Sequence, residues 1–114
     1  MGLGFADVSL NSAAVIAGQR MELECRTGGK PANFVWMFFS YINRTEHFRI
    51  CYSSRDEEMI CPGLGHYVDR NSSGVLYSNA TKMENAGIYL CEAEFRETYE
   101  KQSIFAILVV FGKY

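Results

Sequence analysis

Several common functional classes lack support in this chain. Apolar residues do not recur at the three- and four-residue spacing of an amphipathic helix, which speaks against an α-helical fold. No sign of charge dominates: 11 basic and 13 acidic residues leave a formal charge of -2, scattered along the chain, so no field draws phosphates or an anionic membrane and nucleic acid is not expected as a partner. The longest apolar run, "IFAILVVFG" from Ile104 to Gly112, is less than half of the roughly 20 residues that a membrane helix needs. A membrane anchor, if the native protein has one, is expected beyond Tyr114. The start, "MGLGFADVSL", lacks the basic end and long apolar core of a secretory leader, and Met1-Gly2 reads as an added start. Internal repeats and low-complexity linkers are also missing.

Chemistry-bearing arrangements are equally scarce. Catalysis needs a nucleophile with an oriented base, or paired carboxylates in a cleft. The two histidines, His47 in "RTEHF" and His66 in "GLGHY", sit in polar surroundings and read as surface residues. The acidic run "RDEEM" lacks the alternating oxygens and the glycine of a calcium loop, and reads as a solvated loop. No glycine-rich phosphate cradle is present. None of the cysteines falls in the close pairs of a zinc knuckle. The expectation is a protein with no catalytic residues, no metal, no cofactor and no small-molecule substrate.

What the chain does have is apolar mass: 48% hydrophobic and 14% aromatic residues over 114 positions, enough for one compact domain, residues 1–114, around a two-layer core. The four cysteines, at 25, 51, 61 and 91, are an even count that suits two disulfides, which persist only outside the reducing cytosol. Three glycosylation sequons point the same way: "NRT" at Asn43, "NSS" at Asn71 and "NAT" at Asn79. Together they predict a secreted or cell-surface protein.

Short runs rich in Val, Ile, Phe and Tyr recur between clusters of Gly, Asn, Ser and Asp, so the fold class is all-β. Strands are expected near Val8–Leu10, Ala14–Ile16, Met21–Arg26, Asn33–Tyr41, Phe48–Tyr52, Val75–Ser78, Gly87–Phe95 and Ser103–Val110. Turn signals stand at "AGQ", "TGGKP", "PGLG" and "RNSSG".

In this setting "LEC" ending at Cys25, Trp36 in "FVWMFF", and "LYSNATKMENAGIYLC" running into Cys91 together resemble an immunoglobulin domain of the variable or intermediate set, across nearly the whole chain. The resemblance implies a two-sheet Greek-key sandwich, a Cys25–Cys91 disulfide joining the sheets, Trp36 packed on that bond, and Tyr89 as the tyrosine corner. It leaves Cys51 and Cys61, outside the family pattern, as a second pair clasping strand C′ to the start of strand D. In the chain-entropy model the two bonds would contribute about 4 and about 2.5 to 3 kcal/mol. Two departures stand out. Asn85 occupies a position where the family usually has Asp, so its ion pair with an upstream arginine, here Arg70, gives way to a neutral hydrogen bond. The ending "VVFGKY" lacks the joining segment of antigen receptors, which argues against an antibody or T-cell-receptor chain. About 40 residues separate Trp36 from Leu76, room for strands C′ and D with or without a short C″, so both sets stay open.

With Cys91 facing the core, period-2 alternation puts Tyr89, Ala93 and Phe95 inside and Ile88, Leu90, Glu92 and Glu94 outside. Trp36 inward puts Phe34 and Phe38 inside and Val35, Met37 and Phe39 outside. In the last strand either Phe105, Ile107 and Val109 or Ile104, Ala106, Leu108 and Val110 must also face out. In the resembled fold these strands are C, F and G of one sheet. A face that should be polar if bathed in water is therefore expected to be apolar, as partner sites are; loops, a glycan or a neighbouring domain are the other ways to cover it. The charged tip "RETYEKQ", with Glu92 and Glu94, would rim the face, and Tyr99 is a candidate anchor. Asn71 and Asn79 are expected on the opposite sheet, and Asn43 at the turn after strand C.

The function expected is an extracellular recognition or adhesion module binding another immunoglobulin domain, or its own copy, through Val35, Met37, Phe39, Ile88, Leu90, Glu92 and Tyr99. Two alternatives remain: a secreted binding protein or decoy using the same face, and a structural spacer in a multidomain protein.

Overall fold

The computed structural model describes residues 8–40, 48–52, 67–68 and 74–112. Strands β1 (Ser9–Leu10), β2 (Ala13–Ile16), β3 (Met21–Arg26), β4 (Ala32–Ser40), β5 (Phe48–Tyr52), β6 (Tyr67–Val68), β7 (Val75–Ser78), β8 (Gly87–Phe95) and β9 (Lys101–Phe111) follow in order, with a short 3-10 turn at Met83–Asn85 before β8. They form two sheets, β1-β3-β7-β6 and β2-β9-β8-β4-β5. The fold is the all-β sandwich expected. Cys61, Asn43, Asn71, Arg70 and both histidines lie outside the described residues, and so does residues 53–66, on which the choice between the two sets turns. The Cys51–Cys61 pairing lies outside them as well.

The sandwich follows from alternation. β8 alternates buried and half-buried along its whole length and β4 does so from Ala32 to Phe38, with Tyr89, Cys91, Ala93 and Phe95 of β8 and Phe34, Trp36 and Phe38 of β4 on the inner side. Leu23 and Leu76 from the facing sheet close the same core, with Leu108 of β9. Each such large side chain contributes about 1.5–3 kcal/mol when fully removed from water.

The Cys25–Cys91 disulfide crosses from β3 to β8 with its Cα atoms 6.5 Å apart. Trp36, the cross-strand partner of Cys91, brings the indole to the level of that bond. Phe38 stacks on Tyr89, its own cross-strand partner, with ring centroids 4.5 Å apart.

Tyr89 also closes the corner. Its hydroxyl donates to the Asn85 carbonyl oxygen at 2.7 Å, and burial pushes the phenol well above its ordinary pKa, so it stays a donor. The fully buried Asn85 side chain accepts from the Lys82 N–H at 2.6 Å, holding the turn that feeds β8. β8 must then begin with glycine: at Gly87 a Cβ would run into the Phe39 carbonyl oxygen, so closely does β4 lie alongside.

Candidate functional site

The side of the second sheet that faces away from the core is built row by row from register. β4 pairs with β8 and β8 with β9, both antiparallel, which aligns Phe39, Ile88 and Ile107 in one row and Met37, Leu90 and Phe105 in the next. A third row is mixed: Val35, Glu92 and Ser103. A fourth is polar: Asn33, Glu94 and Lys101. The face therefore grades from apolar to charged toward the β8–β9 hairpin.

Register also decides which half of β9 faces out. Leu90 is opposite Phe105 and Ile88 opposite Ile107, so Phe105, Ile107 and Val109 share the outer side, while Ala106, Leu108 and Val110 are buried. Phe105 is the most open of these, 66% exposed. Ile88 and Leu90 are half-buried between the side chains of β4 and β9, and Val35 and Met37 are half-buried too, whereas Phe39 is exposed.

The fifth strand adds what periodicity alone does not show. β2 runs parallel to β9, with Ala14 beside Val109 and Ile16 beside Phe111, and all four are exposed. The apolar face thus turns the corner onto the sheet edge. The signal was present in "AAVIAG", where Ala14 and Ile16 alternate with the half-buried Val15, but the partner strand lies some ninety residues away.

Tyr99 occupies the hairpin tip. The loop is tied by Tyr99 N–H to Phe95 O at 2.8 Å and by Phe95 N–H to Glu100 O at 2.9 Å, and Tyr99 adopts a left-handed φ of 61°. Its side chain is 76% exposed. The rows of Glu92 and Glu94 lie between it and Leu90, so it stands at the charged rim, apart from the apolar rows.

The opposite sheet has a different character. Its outward residues on β3 are Glu22, Glu24 and Arg26, with ion pairs Arg20–Glu22 at 3.0 Å and Arg26–Glu24 at 3.1 Å. Asn79 follows β7 on this side, as expected. A concavity of about 520 Å³ between Thr27–Pro31 and Arg96 is lined by Arg26, Lys30, Glu24 and Phe34. Among the described residues no group of three or more His, Cys, Asp or Glu converges as metal ligands would.

No protein-family model and no curated protein matches this sequence. Its fold, however, recurs among solved structures. The extracellular portion of mouse CD200RLa superposes with a TM-score of 0.70 at 18% identity, covering 90% of this chain and 56% of that one. The Ig-like domain of human leucine-rich repeat-containing protein 4 gives 0.63 at 16% identity, with 100% and 95% covered. A chain of the titin M10–obscurin-like 1 Ig complex gives 0.57 at 16%, with 92% and 90% covered. This chain therefore spans about half of the CD200RLa chain and nearly all of the other two. At such identities the likeness is one of fold, and the fold is immunoglobulin-like.

Proposed function

We propose that this immunoglobulin-like domain is an extracellular recognition module that binds a second immunoglobulin-type domain, in another protein or in its own copy, through the outward face of β4, β8 and β9. The observation that carries the reading is the pair of aligned apolar rows, Phe39–Ile88–Ile107 and Met37–Leu90–Phe105, on a sheet side that water alone would make polar. A desolvated apolar centre with a charged border is how specific interfaces are built, and here Glu92, Glu94 and the hairpin bearing Tyr99 supply the border. The fold supports the partner class: among similar structures is a complex of titin M10 with obscurin-like 1 Ig, and another is an extracellular portion. The Cys25–Cys91 bond supports an oxidising compartment over an intracellular spacer role, although titin domains share the fold. A secreted decoy would use the same face.

Sedimentation velocity of the secreted domain over a concentration series tests the self-binding form. Self-association that Leu90→Arg abolishes, with an unchanged melting temperature, supports it. A wild-type domain that stays monomeric, and that no immunoglobulin-type domain on a bead array captures through this face, rules the proposal out.

A further inference from the structure

Among the described residues, one buried side-chain polar atom has no hydrogen-bond partner: Oγ1 of Thr81. The residue is 2% exposed. Its backbone is fully engaged, with Thr81 N–H donating to Gln19 O at 2.9 Å and Thr81 O accepting from Gly18 N–H at 2.7 Å, so the β2–β3 turn is fastened over it. An unpaired buried hydroxyl destabilises a fold, and valine would fill the same shape without that cost. The fold therefore gives no reason for threonine at this position.

The sequence does give one. Thr81 is the third residue of Asn79-Ala80-Thr81, and Asn79 is exposed on the sheet opposite the apolar face. Arg20, its guanidinium 4.4 Å above the Tyr77 ring and paired with Glu22, donates to Asn79 Oδ1 at 2.6 Å. We infer that Asn79 carries an N-linked glycan attached before the β2–β3 turn closes, and that the Thr81 hydroxyl is retained for that reaction and not for the fold.

The co-reactant is an oligosaccharide on a polyprenyl diphosphate. The Asn79 Nδ2–C1 bond forms as the C1–O bond to diphosphate breaks; the amide gives up one proton to a base of the transferase, and the lipid diphosphate leaves with the bonding electron pair. A transferase that engages the sequon hydroxyl must find it on an open chain, because the closed domain seals it. The product keeps the amide oxygen, so the Arg20 contact survives modification. The sugar then stands on the charged sheet and leaves the apolar face clear. This inference rests on the secretory routing proposed above but not on the apolar face.

Three measurements on the whole chain decide it. In protein secreted from mammalian cells, mass spectrometry of the Asn79 peptide should show a glycan that Thr81→Val removes and Thr81→Ser retains. For unglycosylated chain refolded from bacteria, Thr81→Val should melt at or above the wild-type temperature. In microsomes supplied with the lipid-linked donor, reduced and unfolded chain should be modified at Asn79 and folded chain should not. An unmodified Asn79 in secreted protein, equal modification of folded and unfolded chain, or a Thr81→Val melting temperature several degrees below wild type would each overturn the inference. Failure of the chain to reach the medium, with normal modification in microsomes, would refute the secretory routing and leave the site standing.

Discussion

Phe105 and Ala106 are chain neighbours on β9 with opposite duties, which makes them the sharpest test of the face. Phe105 is 66% exposed, and Ala106 only 2%. A phenylalanine carries on the order of 200 Å² of surface, so about 130 Å² of Phe105 remains for a partner to cover. At about 25 cal/mol per Å² that is about 3 kcal/mol, or roughly a hundredfold in affinity. Phe105→Ala should therefore weaken binding by about two orders of magnitude with no loss of thermal stability. Ala106→Arg should do the reverse and unfold the domain: it forces a guanidinium in beside Tyr89, a cost of several kcal/mol against a total stability of about 5–15. Circular-dichroism melting together with bead binding or sedimentation reads both variants. If Phe105→Ala binds like wild type, the face is not the contact. If Ala106→Arg melts like wild type, the phase of β9 is inverted.

Two further outcomes follow from the core. The tyrosine corner makes alkaline stability depend on Tyr89: its folded pKa lies above the ordinary 10.0, so its contribution is fully present below pH 10 and is lost as pH rises further, by about 1.4 kcal/mol per pH unit. Urea denaturation between pH 8 and 11 should show that slope in wild type and a shallower one in Tyr89→Phe, which should also be about 1–2 kcal/mol less stable at pH 8 through the lost bond to Asn85 O. Replacing both Cys25 and Cys91 by alanine opens a loop with a sequence separation of 66, which should cost about 4 kcal/mol and bring the urea midpoint down accordingly.

Local pattern made most of this face legible. Once Cys91 and Trp36 are turned inward, alternation alone assigns Ile88, Leu90, Met37 and Phe39 to the outer side, and the structure agrees. β9 was undecidable by the same means, because both of its alternating sets are apolar; only pairing with β8, Leu90 to Phe105, separates them. The strand also begins two residues earlier than its composition implies. Lys101 and Gln102 are poor strand formers held in the ladder by Glu94 and Ala93, an instance of tertiary pairing overriding propensity. Tyr67–Val68 left no trace in the pattern, since two residues are too few to show a period. Ile16 and Phe111 meet only through a parallel pairing between the two ends of the sequence, which no local window contains.

That parallel pairing also sets how the domain answers a pull. β2 and β9 run in the same direction, so tension entering ahead of Ala13 and leaving after Phe111 slides one strand along the other instead of peeling them apart. The rungs from Ala13–Leu108 to Ile16–Phe111 are loaded together. Ser12 Oγ accepts from the Ile107 N–H at 3.1 Å at one end, and the Ala17 N–H donates to Phe111 O at 2.8 Å at the other, lengthening the run that must shear as a unit. Survival under force is governed by the rate of opening, and bonds that break in concert raise that barrier more than bonds that unzip singly. A domain loaded through these two ends would thus have its mechanical latch on the edge strand that bears Ile16, at the margin of the apolar face.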